Sequence, residues 1–477
     1  MNKDLVEAIQ KDLGRDSFAT WFTEISLLEK EIDHAIENIE KWSKSVSVST
    51  PVYLGPAASR ITYEPLGVVG IMGSWNFPLY TCLSPLISAI ASGNTAVIKP
   101  SEVAPNSLLK IKSLLTRNLD MMAYPCIEGQ VEVAKAMSAA RFNSICFTGS
   151  TEKGRLVAAS AGRNLVPCVL ELGGKSPVII DETANLEYAA KQVVRAKFLN
   201  AGQICITTDY ALVHYSVTDK FLQLLTKEIS QQWKDGSNVG DMGNVVNNFH
   251  KGRVADLLRD HQGTVVVGNP NAFDDGDLTP TIVLNPSIHS AIMHEEIFGP
   301  ILPVISFQRF DEVVTQINSG DKPLAIYYFG HVWSGNRTRL EKETSSGSLV
   351  TNEILFQMAN PDLPFGGVGA SGYGRYHGYE GFKAFSNPKT IVTKIPLNTY
   401  PYNRVFAPFT KDRQSLIRFL MKWLGCSQKQ FIKRIIWLLI ILYFVKKIAT
   451  GELSMKTYRK WKNIFGMVGG MLPMLMK

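Results

Sequence analysis

Cys205 ends the turn Asn200-Ala201-Gly202-Gln203-Ile204-Cys205, and Glu171 opens the run Glu171-Leu172-Gly173-Gly174-Lys175. A cysteine on a glycine-containing turn can be a nucleophile, and a carboxylate delivered from elsewhere can be its acid–base partner. The two lie too far apart in sequence to share a helix face, so only tertiary structure can bring them together. The other cysteines, at 82, 126, 146, 168 and 426, follow no such turn. Cys82, Cys146 and Cys168 sit in apolar runs and suit the commoner role of a small buried hydrophobe. No Cys-x-x-Cys and no histidine cluster is present, which argues against a zinc site or a disulfide framework and favours a reducing compartment.

Two further stretches carry polar groups of interest. Asn76, in Gly73-Ser74-Trp75-Asn76-Phe77-Pro78, has an amide that could donate to an oxyanion, although an asparagine before Phe-Pro is by itself more often a turn residue. Gly149-Ser150-Thr151-Glu152-Lys153-Gly154 has glycines at its ends but a serine where a dinucleotide fingerprint has its second glycine, so alone it is a weak signal.

The elements that must position these residues are legible in outline. Residues 1–44 read as helix, with Leu5, Ile9, Leu13, Phe18, Phe22 and Ile25 spaced among charges. Residues 45–58, with Pro51 and Gly55 among valines, read as an extended arm. From Leu66 to about Ile180, short apolar strands at 68–72, 95–99, 144–147 and 177–180 alternate with helical stretches, which implies a parallel sheet with helices on its faces. A second α/β region follows to about 345. A glycine-rich stretch from Gly347 ends in strand-like Thr390-Ile391-Val392.

The chain has 477 residues, 45% of them hydrophobic and 19% charged, which suits a globular protein of several domains and not a disordered one. Its first thirty residues contain no apolar core of a secretory signal. The formal charge of +8 is uneven, with fourteen Lys or Arg against two acidic residues between 411 and 477. The basicity therefore belongs to a tail, and the body gives no electrostatic reason to bind nucleic acid.

Taken in order, the Gly73–Pro78 run, Val97-Ile98-Lys99-Pro100-Ser101-Glu102, Phe147-Thr148-Gly149-Ser150, Glu171–Lys175, Gly202–Cys205, Glu295-Glu296-Ile297-Phe298-Gly299-Pro300 and Pro364-Phe365-Gly366-Gly367-Val368-Gly369 resemble the aldehyde dehydrogenase superfamily over residues 1–395. Asp209-Tyr210 and Gly374-Arg375-Tyr376-His377-Gly378 look most like class 3, the fatty aldehyde dehydrogenase branch. The resemblance implies an α/β fold with two parallel-sheet domains: a cofactor domain over 1–44 and 59–171, and a catalytic domain over 172–346. A small bridging, dimer-forming sheet would come from 45–58 and 347–395, and 396–477 would be a tail.

It also implies roles. Cys205 adds to the aldehyde, the thiohemiacetal loses hydride to a nicotinamide, and the resulting thioester is hydrolysed by water activated at Glu171. The thiolate is the active form, so Cys205 needs a lowered pKa or a nearby base. Asn76 and the Cys205 backbone N–H would hold the oxyanion. Lys99 and Glu102 would hold the adenosine ribose, and Gly149, Ser150 and Gly154 would shape the pyrophosphate turn at a helix N-terminus. Glu296 and Phe298 would meet the nicotinamide ribose end. Glu102 would repel a 2′-phosphate, which favours NAD while leaving NADP open. Phe365, Trp75, Phe77 and Tyr80 are candidates for the substrate tunnel.

In the tail, residues 416–424 look like a basic amphipathic helix suited to an anionic membrane surface. Ile435 to Val445 is an apolar run which, as a helix, is only about 16 Å long, short against a hydrocarbon core of about 30 Å. A last apolar stretch runs from Ile464 to Met476. Class 3 enzymes of the fatty branch carry a hydrophobic anchor here, so the expectation is a homodimer attached to the cytosolic face of an endoplasmic reticulum-type membrane, oxidising medium- to long-chain aliphatic aldehydes. The alternatives are a cytosolic class 3 enzyme for aromatic or short aldehydes and a non-catalytic, membrane-tethered NAD-binding protein.

Overall fold

The computed structural model describes residues 2–51, 54–233, 242–259, 261–268, 279–398, 402–424 and 428–451. Cys426 and the apolar stretch 464–476 lie outside them. The chain divides into two compact units, residues 1–44 with 63–388, and residues 45–62 with 389–477.

The first unit is built on two sheets. A five-stranded sheet has the order Gly372–Tyr373, Cys168–Leu172, Ser144–Gly149, Val68–Met72, Thr95–Lys99. All its pairings are parallel except that of Gly372–Tyr373, which runs antiparallel to Cys168–Leu172. Val69, Ile71, Ala96, Ile98 and Ile145 are fully buried, the near-continuous apolar pattern expected of strands covered on both faces. A seven-stranded sheet has the order Ser348–Thr351, Ala325–Phe329, Pro177–Ile180, Tyr210–His214, Ile301–Phe307, Thr281–Leu284, Thr264–Val267 and is antiparallel only at its last pair.

This topology fixes where chemistry can sit. Lys99, Gly149 and Glu171 lie at the carboxyl ends of parallel strands of the five-stranded sheet, and Asn76 lies in the loop that leaves Met72. Crevices outside those strand ends are where open α/β sheets bind ligands. Cys205 and Glu296 come from loops that enter Tyr210–His214 and Ile301–Phe307, at the amino edge of the seven-stranded sheet.

The helical N-terminus is interrupted where the sequence reads as one run. A helix over Asn2–Leu13 stops at Gly14, at φ 63°, and a second helical run starts at Asp16, whose carboxylate caps it by accepting from Phe18 and Ala19. Within that run Trp21–Ile25 is a π-helical turn. The second unit holds a three-stranded sheet in the order Val46–Val48, Ala57–Pro65, Ser386–Lys394. Only the last of these strands comes from the glycine-rich 347–395 stretch expected to supply the bridging sheet. Ser348–Thr351 joins the seven-stranded sheet and Gly372–Tyr373 the five-stranded one. Strands of two and four residues carry too little alternation to be assigned a partner from sequence.

The tail forms helices over Lys411–Leu424 and Gln428–Ala449. The second extends the apolar run by basic turns at both ends, yet no helix among the described residues is long and apolar enough to cross a membrane.

Candidate active site

The cysteine loop is strained, and buried amide side chains hold it. Asn200, Ala201 and Gly202 have φ of 55°, 53° and 74°, three successive left-handed residues that cost free energy and persist only where surroundings enforce them. At Gly202 a Cβ would run into the carbonyl of Gly299, so glycine is required there. The buried Gln203 side chain supplies the enforcement. Its amide donates to Asn200 O and Asn244 O, both at 2.9 Å, and its carbonyl accepts from Val246 N at 3.0 Å. Three residues after the left-handed turn, Cys205 emerges half-buried into a cleft of about 1990 Å³.

Asn76 lines the same cleft, 5% exposed. Its Nδ2 donates to Gln203 O at 2.9 Å, and its Oδ1 accepts from Ser74 Oγ at 2.6 Å. One amide N–H remains after these bonds. Asn200 Nδ2 donates to Asn76 O at 3.1 Å, which stitches the asparagine loop to the cysteine loop a second time.

Glu171 is 3% exposed on Cys168–Leu172, and neither carboxylate oxygen accepts a hydrogen bond from a described residue. An unpaired buried carboxylate costs several kcal/mol, on the order expected for a desolvated ion, unless it takes up a proton. Burial pushes its pKa well above the ordinary range, and the charge of Arg375 only partly offsets this. The glycines of Pro364–Gly369 act here: a Cβ on Gly366 would press against Glu171 Oε1, so the bare backbone lets that turn lie over the carboxyl group.

Glu296 reaches the site from the opposite loop. Its carboxylate rests on the Gly173–Gly174 backbone, where a Cβ on Gly173 would overlap Oε2. Burial, reinforced by the charge of Asp209, raises its pKa to about 8. Arg253 grips this loop by donating to Glu296 O at 3.0 Å and Ile297 O at 2.5 Å. On its other side Asp209 accepts from Ile297 N at 2.9 Å and pairs with Lys175, which also donates to Ile292 O at 2.7 Å and Glu295 O at 2.8 Å. Phe298, at φ 47°, packs edge-on to Trp75 with centroids 5.4 Å apart.

Cys205 does not have the lowered pKa its chemistry invites. Burial raises it, followed by the charges of Glu296 and then Glu171, while the Cys205 and Ile206 backbone N–H groups pull the other way. The resting group is therefore a thiol, and the carboxylates whose charges act on it, Glu296 and Glu171, are the candidates for a nearby base.

The far end of the cleft holds the other set. Lys99, 4% exposed, donates to Glu102 Oε2 at 2.6 Å. Ser150 caps the helix Thr151–Gly162, its Oγ accepting from Lys153 N at 3.4 Å. Gly149 lines the cleft, and a Cβ there would meet the Phe147 ring. Gly154 does not line it; its missing Cβ makes room for Leu172, which brings the helix close to its strand. A helix N-terminus with free backbone N–H groups beside a bare-backbone turn fits a pyrophosphate, and the Lys99–Glu102 pair fits a ribose diol.

The structure thus brings Cys205, Glu171, Asn76, Lys99, Glu102, Gly149, Ser150, Glu296 and Phe298 to one cleft, along with the tunnel candidates Trp75, Phe77, Tyr80 and Phe365. Sequence reasoning missed Gln203 as the clamp of the cysteine turn, Arg253 as the grip on Glu296, and the buried Arg15–Glu24 pair beneath Asn76. Gln203 lies inside the Gly202–Cys205 run, where an amide beside a glycine turn is a readable signal. Arg253, Arg15 and Glu24 stood in amphipathic helical runs, where a charge normally means a solvated face.

Comparison with known proteins gives a consistent picture. The family model described as aldehyde dehydrogenase family matches residues 1–391. The 4,4'-diaponeurosporen-aldehyde dehydrogenase of Staphylococcus aureus is 42% identical over 394 residues, 82% of this chain and 85% of that protein. Aldehyde dehydrogenase family 3 member H1 of Arabidopsis thaliana is 34% identical over 422 residues, 88% of this chain and 87% of that protein. The dimeric NADP-preferring aldehyde dehydrogenase of Rattus norvegicus is 32% identical over 412 residues, 85% and 89%. Among solved structures, the substrate-bound state of Staphylococcus aureus AldH superimposes with a TM-score of 0.82 at 39% identity, covering 88% of this chain and 91% of that one.

Proposed function

The chain belongs to the aldehyde dehydrogenase family, and we propose that within it this protein oxidises medium- to long-chain apolar aldehydes at a membrane surface, with Cys205 as nucleophile, Asn76 as oxyanion donor and Glu171 as the base for hydrolysis. It is an aldehyde-oxidising oxidoreductase that uses NAD or NADP. The observation that carries the residue roles is the unpaired, buried Glu171 carboxyl group in the same cleft as the Cys205 thiol and the Asn76 amide. A group so costly to bury without a partner is explained by a working role.

The side chains divide the labour. When bound, the nicotinamide supplies the hydride acceptor. Lys99, Glu102, Gly149 and Ser150 would hold the dinucleotide, and Glu296 and Phe298 would meet its nicotinamide ribose end beside the thiol. The Cys205 thiol gives up its proton to one of the two facing carboxylates and adds to the aldehyde carbon. The remaining Asn76 N–H and the Cys205 backbone N–H take the oxyanion that forms. After hydride loss leaves a thioester on Cys205, Glu171 takes a proton from water, which attacks and frees the acid. A carboxyl group whose pKa is raised toward neutrality suits that exchange better than an ordinary one.

Support for an apolar chain comes from the cleft mouth. Phe22, Leu27, Phe249, Leu355, Phe356 and Met358 line it, and Phe22, Phe249 and Phe356 are more than half exposed. The inner wall, with Trp75, Phe77, Tyr80, Phe298, Phe365 and Tyr376, also favours a second reading, aromatic aldehydes.

Support for the membrane comes from the tail. Gln428–Ala449 exposes Ile432, Ile436, Leu439, Leu442, Tyr443 and Val445 between basic turns, and Lys411–Leu424 exposes Phe419 and Met421. Helices with this much bare apolar surface need a covering, and lipid beneath a ring of lysines and arginines provides one. Pairing of subunits is assigned to the three-stranded sheet, whose outer strand Val46–Val48 is exposed throughout.

The test is turnover of hexanal, hexadecanal and benzaldehyde with NAD and with NADP, for the full chain and for a truncation at Pro408, with and without anionic vesicles. The expected result is that truncation releases the protein from vesicles and lowers kcat/KM for hexadecanal while sparing hexanal. Equal response of both aldehydes, with no sedimentation of the full chain, overturns the membrane reading. A preference for benzaldehyde selects the second one.

A further inference from the structure

We propose that Arg15, locked by Glu24, is a positioning residue for the oxyanion site: it fixes the backbone of Asn76 and so the direction of the Asn76 amide. The inference rests on the reading of Asn76 as oxyanion donor.

Arg15 lies in the short break between the helix Asn2–Leu13 and the helix beginning at Ser17, and its side chain is fully buried. Each arm of its guanidinium has a separate target. Nη1 donates to Asn76 O at 3.2 Å, Nε to Thr20 Oγ1 at 3.2 Å, and Nη2 pairs with Glu24. The plane lies 4.8 Å from the centre of the Phe77 ring. The other Glu24 oxygen accepts from Leu79 N at 2.8 Å and Tyr80 N at 2.9 Å, the opening of the helix Tyr80–Ala91. The pair therefore clamps residues 76–80 at both ends, the carbonyl at the start by a cation and the orphan helix N–H groups at the finish by an anion.

On the other side of the same loop, Asn200 donates to the Asn76 carbonyl and Asn76 Nδ2 donates to Gln203 O. The Asn76 carbonyl is thus the point where the Arg15 clamp and the cysteine turn meet. Ser74 holds the amide oxygen, so once the backbone is fixed the one spare N–H has no freedom left. An oxyanion donor acts through being fixed before the charge develops.

Stability alone does not explain such a pair. Buried ion pairs are commonly replaced by packed apolar residues with no loss of stability, because desolvation offsets their attraction. The Glu24 side also carries a cost, since it is delivered by the π-helical turn Trp21–Ile25, a geometry rare in helices and frequent at functional sites. Arginine suits the place better than lysine because three acceptors in different directions match a planar fork.

The experiment is a mutant cycle in the full-length protein, with hexanal and NAD each varied at saturating levels of the other, measuring kcat, KM for both substrates, and melting temperature. Arg15→Met with Glu24→Gln removes both charges together and leaves no unpaired ion in the interior. The expected result is a kcat lowered by about 10-fold, one missing donor's orientation rather than the donor itself, with both KM values within about 2-fold. Arg15→Lys keeps the charge and loses the fork, so it serves only part of the acceptor set and recovers to within about 3-fold of the parent. In an Asn76→Ala background the same pair of substitutions adds less than about 2-fold, because the group it positions is gone. Full additivity in that background, or an unchanged kcat in the parent background, overturns the inference. A single Arg15→Met variant that fails to fold leaves the decision with the double variant and Arg15→Lys. If Asn76→Ala itself keeps kcat, the oxyanion reading of Asn76 has failed. If it loses about 100-fold while the Arg15–Glu24 substitutions cost nothing, only the positioning role has failed.

Discussion

The two ends of the cleft are built in opposite ways. At the cysteine end, Asn200–Gly202 hold left-handed angles, Gln203 bonds three backbone groups, and Glu171 and Glu296 are carboxylates that burial pushes toward the neutral form. At the dinucleotide end, Ser150 caps its own helix, Lys99 pairs with Glu102 three residues on, and the Glu102 side chain is 38% exposed. The first end is assembled from five distant segments under strain, the second from contacts within a few residues. The difference matches the work proposed for each. A site that stabilises developing charge must be rigid and dry, whereas one that grips a soluble, polar dinucleotide can stay local and wet.

Substitutions can break this contrast, and the largest effect is at the nucleophile. Cys205→Ala is expected to lower aldehyde oxidation by on the order of 10,000-fold or more, while NAD binding by fluorescence titration is retained. Turnover near the parent rate in the purified variant would show that another group carries the chemistry.

Glu171→Gln comes next. Steady-state turnover should fall by about 100-fold, yet rapid mixing should still show a burst of NADH, because Glu296 remains to take the thiol proton and only the later hydrolysis needs Glu171. Loss of burst and turnover together would place Glu171 before hydride transfer and make Glu296 the hydrolytic base.

At the other end Glu102→Gln is expected to change preference and not rate. Removing the carboxylate that faces a 2′-phosphate should lower KM for NADP by about 10-fold relative to NAD, with kcat held. Glu102 is the exposed partner of the pair and the Gln amide oxygen can still accept from Lys99, so melting should shift by no more than about 1 kcal/mol implies. A collapse in stability would mean that the dinucleotide end is as tightly built as the cysteine end.

The smallest effect separates the two ends by pH. The Glu296 pKa of about 8 lies above its value in an unfolded chain, so the folded state binds the proton more tightly. Its contribution is favourable below the unfolded pKa and is lost as pH rises toward 8. Glu296→Gln should therefore raise the melting temperature of the free protein by about 2 °C at pH 8, with less effect at pH 5. The opposite order would indicate that Glu296 is ionised in the folded state.

Much of the fold was legible. The strands at 68–72, 95–99 and 177–180 stand where short β-branched runs between turns put them, and the amphipathic spacing of the first forty residues gives helices, broken only at Gly14–Asp16. The mixed fate of residues 347–395 was not legible, because Gly372–Tyr373 pairs with Leu170 and Glu171 through backbone alone. In the site, the motif residues themselves were visible. Their protonation was not: Cys205 needs a low pKa for reactivity, yet its surroundings raise it.

By itself the sequence determined the inventory: a cysteine on a glycine turn, a glutamate ahead of two glycines, an asparagine before Phe-Pro, parallel-sheet strands to carry them, and a basic apolar tail. The tertiary structure alone decided which charges are buried and what they face. Arg15 and Glu24 read as surface residues of a helix until Asn76, Leu79 and Tyr80 close over them, and Glu171 is an ordinary carboxylate until Gly366 passes across it. The reason is physical: periodicity records which face of an element meets the core, but a charge's pKa and reach depend on the dielectric and the donors contributed by residues far away in the chain.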